Sequence, residues 1–299
     1  MATIPDGLSA AYAEATADVR RLDPDRFFAS LFIPEASRSH AHAVLAFSAE
    51  IARVRDVVSN PLPGEIRLQW WRDLLTGPML ADAGQWKAIP PVAQALLDTI
   101  QRCHLPVAAF QNLIDARIFD LYDDPMPSQN DLEGYLGETA SSLFRLVSLI
   151  LAEGSDAGNA HPIGDAGLAD LAGHAGVAYG LTGLLRAFPF HAVRGQVYLP
   201  VDLLARHGVA PAEITEGKVT PGLMAALAEM RALARDHHAR ALKLLRDAPK
   251  PVRPAFLPLA LVPGFLKVMD RGDYTPFRMP VEIDQWKKQL SLWWMTRRF

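Results

Sequence analysis

Residues 181–204 read LTGLLRAFPFHAVRGQVYLPVDLL. The first half places Leu181, Leu184, Leu185 and Phe188 at helical spacing, with Gly183 and Ala187 between them, so apolar and small side chains occupy more than one face of a helix. Pro189 predicts that this helix, which begins near residue 166, ends at 187, because the residue before a proline is pushed out of the helical region. Beyond the Arg194-Gly195 pair, Gln196–Leu199 is the one convincing stretch of period-two alternation, and it is too brief to build a sheet. The whole stretch carries Arg186, His191 and Arg194 and no carboxylate before Asp202.

Outward from this segment, helical spacing continues almost everywhere. It predicts helices at 8–21, 25–32, 37–58, 64–75, 90–102, 106–122, 129–152, 166–187, 221–246, 252–271 and 282–295. Breakers separate them at Asn60-Pro61-Leu62-Pro63-Gly64, Pro90-Pro91, Pro125, Pro127 and Pro249-Lys250-Pro251. The chain therefore reads as all-α. Helices 37–58 and 166–187, apolar or small on several faces, belong inside a large bundle. The stretch 153–164, rich in Gly, Ala, Asp and Ser, is either a linker or a loop of ordinary length. The loop reading gives one domain over 1–299, with 286–299 as a peripheral C-terminal helix.

With 299 residues, half of them apolar, the chain is able to bury a large core. A formal net charge of −3 gives no footprint for nucleic acid. The single cysteine, Cys103, cannot form an internal disulfide and is expected to be a small core residue. The N-terminus has no basic start followed by an apolar run, and its acids Asp6, Glu14 and Asp18 argue against a transit peptide, so a cytoplasmic location is expected. The longest apolar run, 256–269, is interrupted by Pro258, Pro263 and Lys267, so no membrane span is expected. There is no GxGxxG unit, Walker motif, CxxC pair or GxSxG elbow.

Segment 181–200 resembles the signature of the squalene/phytoene synthases, whose helix reads roughly QLTNILRDVGED followed by RGRVYLP. Leu181, Thr182, Leu184, Leu185 and Arg186 match the frame, as do Arg194, Gly195, Val197, Tyr198, Leu199 and Pro200. The resemblance spans about Pro24 to about Gly272 and implies a single isoprenoid-synthase-type bundle. In that family the Asn and acidic residues hold magnesium against a substrate diphosphate, because a departing diphosphate needs hard cations to neutralise it. Here the Asn position is Gly183 and the acidic positions are Ala187, Phe190 and His191. The family's first cluster, DDxxD, aligns with Ala52, Arg53 and Asp56, so only Asp56 survives. The resemblance implies a vestigial diphosphate or cavity site at Arg53, Asp56, Asp120, Arg186, His191, Arg194 and Tyr198, with no catalytic residue, metal ligand or cofactor.

Other acids and histidines offer no clear substitute for these ligands. Asp120, Asp123 and Asp124 share helical spacing, but Pro125 follows and makes them a solvated helix end; Asp120 is also a candidate to look inward. Asp115 and Asp120 are five apart and share a helix face poorly. Glu133 and Glu138 read as surface residues. His40 with His42, and His237 with His238, are spaced to point apart and read as surface or satisfied core histidines.

Asp56-Val57-Val58-Ser59 and Arg67-Leu68-Gln69-Trp70-Trp71-Arg72 are similar to segments of the degenerate subgroup that includes an assembly factor of respiratory complex I (NADH dehydrogenase). That resemblance implies a pseudoenzyme whose partners are complex I subunits or assembly intermediates, with a lipid or isoprenoid as a ligand for the old cavity. The competing expectation is a Mg²⁺-dependent prenyltransferase condensing isoprenyl diphosphates head to head. Finally, Trp286, Leu290, Trp293 and Trp294 fall near one helical face, with Lys287, Lys288, Arg297 and Arg298 nearby. Such a helix either lies on the inner membrane surface as a peripheral anchor or, more commonly, docks on its own bundle.

Overall fold

The computed structural model describes residues 6–77, 86, 88–154 and 164–298. Among them no β-strand occurs, and fourteen α-helices follow in order: α1 (Ser9–Leu22), α2 (Pro24–Ser30), α3 (Glu35–Ala52), α4 (Pro61–Thr76), α5 (Pro91–Arg102), α6 (Val107–Ile118), α7 (Gln129–Leu136), α8 (Ser142–Glu153), α9 (Gly164–Val193), α10 (Val201–Arg206), α11 (Pro211–Thr215), α12 (Pro221–Leu245), α13 (Val262–Met269) and α14 (Gln285–Thr296). Starts follow local chemistry. Pro24, Pro61, Pro91, Pro211 and Pro221 each open a helix where no amide partner is needed. Asp23, Ser128 and Thr220 cap α2, α7 and α12 by accepting from Arg26, Asp131 and Leu223 amides.

Several expected boundaries shift. The helix expected over 37–58 stops at Ala52 and continues as a 3₁₀ turn, Val54–Val57. The one expected over 129–152 is divided by a π-helical segment, Gly137–Ser141. Residues Lys250–Leu261 form a 3₁₀ helix, not an α-helix. Helix α9 runs through Pro189 to Val193, absorbing the missing amide in its final turns. Most of the stretch expected as a loop at 153–164 lies outside the described residues. The apolar stretch Lys250–Met269 is long and apolar enough to cross a membrane by composition alone, and most of it is buried within the protein.

The chain divides into two compact units: residues 1–121, 143–164 and 248–257 form one, and 122–142, 165–247 and 258–299 the other. In the first, Ala11 and Ala15 of α1, Ala43 and Ala46 of α3 and Ala93 of α5 are buried, letting these helices approach closely around Phe47, Phe110 and Leu96. Cys103 is buried in this core, which pushes its thiol up to about 12. A polar knot ties the same helices: Tyr12 donates to Asp98 at 2.7 Å, and Arg102 Nε lies 2.8 Å from both Asp98 oxygens. His40 Nδ1 lies 2.9 Å from both the Tyr12 and the Thr99 hydroxyls.

His42 is also a satisfied core histidine. Ser30 spends its proton on the Phe27 carbonyl at 2.6 Å, so its oxygen accepts from His42 Nε2 at 2.7 Å, and Nδ1 is left to accept from Thr16 at 3.0 Å. Burial, reinforced by Arg38, lowers this imidazole to about 4. Its neutral form thus stabilises the fold above the unfolded value of 6.5, and that contribution drains away as pH falls from 6.5 towards 4. It amounts to about 3 kcal/mol at most. His40, His237 and His238 are lowered too, mainly by burial, and act in the same direction. Thermal unfolding followed across this window is expected to show a falling melting temperature, with a shallower slope for His42→Gln.

In the second unit α9 lies hard against the end of α7 and the π segment. A Cβ on Gly176 would sit 2.3 Å from the Ser141 Cα and N, and one on Gly180 2.8 Å from Leu136 Cδ2 and 2.9 Å from Ala140 Cβ. The Ser141 hydroxyl donates to the Gly173 carbonyl at 3.0 Å. These glycines permit the approach, and the π segment forms where it is closest.

Candidate functional site

In the first unit the family's leading acidic positions fall at the end of α3. Ala52 is its last residue, Arg53 is exposed beyond it, and Asp56 lies exposed in the 3₁₀ turn, its amide donating to the Arg53 carbonyl at 2.9 Å. A cleft of about 550 Å³ opens there, lined by Glu50, Arg53, Val54, Val57, Ile66, Arg67, Trp70 and Trp71. Burial raises the Glu50 carboxyl, with Asp18 adding to the effect and Arg53 opposing it. Trp71 is buried edge-on against Phe47, whereas Val57, Ile66 and Trp70 are exposed. The segments 56–59 and 67–72, singled out in the sequence, thus border one cleft. Asp120 is buried, which departs from the solvated helix end and follows the inward alternative, and it faces Arg117 at 2.9 Å; Asp115 pairs with Arg72.

In the second unit α9 presents the other family positions. Beyond its chain neighbours and the nearby backbone of its own helix, nothing lies within 4 Å of where a Cβ on Gly183 would stand; Ala187 and His191 are half-buried, and Phe190 is exposed. The His191 ring lies 4.6 Å from that of Tyr198, which in turn lies 5.7 Å from Tyr135. The His191 carbonyl accepts from the Arg194 amide at 3.0 Å and the Gln196 amide at 2.9 Å. Gly195 makes this reversal with φ of 80°, a left-handed conformation that favours glycine. The extended residues that follow bond to Met126 at both ends: Met126 donates to the Val197 carbonyl at 3.0 Å and accepts from Val201 at 2.9 Å.

Arg186 departs from this group. Its Nη2 lies 3.0 Å from Glu282 Oε1, its Nε donates to the Val281 carbonyl at 3.4 Å, and its guanidinium stacks 3.7 Å above the Phe265 ring. Lys288, buried in α14, takes the other Glu282 oxygen at 3.3 Å and lies 5.3 Å from the same ring. The structure therefore brings His191, Arg194 and Tyr198 together and sends Arg186 to Glu282. Sequence reasoning missed Glu282 and Phe265, which carry no motif of their own.

Asp123 and Asp124 are exposed, as expected of a helix end. Glu133 departs from a plain surface role, lying 3.8 Å from buried His237, whose Nδ1 is 3.0 Å from His174 Nδ1. Among the described residues no group of three or more His, Cys, Asp or Glu is placed to hold a metal. Mg²⁺ demands near-octahedral oxygen ligands, usually with carboxylates among them. The residues at the two family positions, Ala52, Arg53, Gly183, Ala187, Phe190 and His191, do not fit it, and Asp56 alone supplies a hard anion.

Residues 19–294 match the squalene/phytoene synthase family, and the chain belongs to it. The fold agrees: a dehydrosqualene synthase solved with a ligand superposes with a TM-score of 0.79 at 19% identity, covering 97% of each chain. The squalene synthase HpnC from Alicyclobacillus acidocaldarius gives 0.75 at 22% identity, over 92% of this chain and 98% of that one. Within the family, the chain is 28% identical over 275 residues to the Mus musculus protein named NADH dehydrogenase (ubiquinone) complex I, assembly factor 6, covering 92% of this chain and 78% of the relative. It is 25% identical to the 15-cis-phytoene synthase of Synechococcus elongatus, covering 95% and 92%.

Proposed function

We propose that this chain is a non-catalytic member of the family that assists respiratory complex I assembly in the cytoplasm, at the inner membrane, and holds a lipid or isoprenoid tail in the old cavity. One observation carries the reading: of the family positions for Mg²⁺ ligands only Asp56 keeps a carboxylate, the others being Ala52, Arg53, Gly183, Ala187, Phe190 and His191, while the surrounding frame persists. The open space beside Gly183 supports room for an apolar tail, and the relatives named assembly factor 6 support the biological role.

The cleft at the end of α3 is the surface we assign to an acidic segment of the partner. Arg53 and Arg67 beside exposed Trp70 and Ile66 have the composition of an interface hot spot. Deleting the gene is expected to reduce assembled complex I on native gels and leave sterol, hopanoid and carotenoid levels unchanged. Complementation with Arg53→Glu/Arg67→Glu is expected to fail although the variant folds, whereas His191→Ala tests the α9 segment. Unchanged complex I together with a missing isoprenoid would overturn the proposal.

A further inference from the structure

Helix α14 has two faces with different duties. Lys288, Leu292 and Met295 are buried, and Lys288 joins Glu282 and Arg186 around Phe265, so this face is already anchored. Trp286, Leu290, Trp293 and Trp294, on the other side, remain 61%, 45%, 44% and 54% exposed. Docking and display are therefore not alternatives, since the helix does both. Scattered single apolar residues on a surface need no explanation, but four within three turns do.

Within the helix itself the charges are of one sign, the nearest acids, Glu282 and Asp284, preceding it. Residues 285–298 contain Lys287, Lys288, Arg297 and Arg298 and no carboxylate. Lys288 is turned inward, which corrects its expected place among the outward cations, whereas Lys287, Arg297 and Arg298 are exposed. Lys287 pairs with Asp284 at 2.6 Å, and Arg297 lies 4.9 Å from the Trp293 ring centre, at the margin of the aromatic strip. Indoles with polar N–H tips, flanked by long cations, suit the boundary between acyl chains and head groups.

We infer that α14 is a membrane-interface helix that sets Trp286, Leu290, Trp293 and Trp294 into an anionic phospholipid bilayer, with Arg297 and Arg298 on the phosphates. The choice of the inner membrane rests on the function proposed above; the lipid contact does not, and each survives failure of the other's test. The absence of acids along the helix favours a lipid sheet over a protein groove.

The full chain is to be sedimented with phosphatidylcholine vesicles with and without phosphatidylglycerol, following tryptophan emission. Binding to the anionic vesicles with a blue shift is expected. Trp286→Ser/Trp293→Ser/Trp294→Ser should weaken it at least about tenfold without lowering the melting temperature, and Arg297→Glu/Arg298→Glu should abolish the preference for phosphatidylglycerol. The inference is overturned if neither vesicle binds, if the serine variant binds equally or unfolds, or if the glutamate variant keeps the anionic preference. Self-association through the same tryptophans without vesicle binding would also overturn it.

Discussion

Gly176→Ala is expected to destabilise the protein by about 3 kcal/mol or more, the upper range for overpacking where the backbone must move. The added carbon would stand 2.3 Å from two backbone atoms of Ser141, so no rotamer change relieves it; α9 and the π segment must separate. That separation also stretches the Ser141 bond to the Gly173 carbonyl. Gly183→Ala on the same helix meets open space and is expected to be neutral or stabilising by up to about 1 kcal/mol, the gain from replacing glycine inside a helix. Denaturation midpoints of the two variants decide the matter. Equal midpoints would mean that α9 does not lie against 137–141 as described.

The same pair shows what the sequence made legible and what it could not. Helical periodicity around Leu181, Leu185 and Phe188 is enough to place α9 in a bundle, and Arg194-Gly195 is legible as part of the family's RGRVYLP frame, whereas the left-handed reversal at Gly195 comes from the structure. The family frame made the replaced positions Ala52, Arg53, Gly183, Ala187 and His191 legible too. The π segment was hidden because its cause, the close approach of Gly176 and Gly180, joins parts of the chain far apart in sequence. Helices α10 and α11, six and five residues long, fall below the window in which periodicity speaks. Arg186 read as a cavity residue because its partner Glu282 stands 96 positions away in a stretch without a motif. Lys288 turns inward towards Glu282, six positions before it, and the Phe265 ring, a placement that helical spacing alone does not show.

A second large effect is expected in catalysis. Ionising an allylic diphosphate leaves a highly charged group whose neutralisation by metal ions is worth several kcal/mol of barrier, and about 1.4 kcal/mol is a factor of ten in rate. A family enzyme obtains this from convergent carboxylates. This chain offers Asp56 at the first position, with Arg53 repelling a cation beside it, and no carboxylate at the second. On the function proposed above, the electrostatic contribution that usually dominates is not supplied, and restoring one acid alone is expected to leave the set incomplete.

The decisive measurement is turnover of farnesyl and geranylgeranyl diphosphate by the purified chain with Mg²⁺, with and without a chelator. The account predicts no condensation product above the protein-free control in either condition; a condensation product that forms with Mg²⁺ and vanishes on chelation would contradict it.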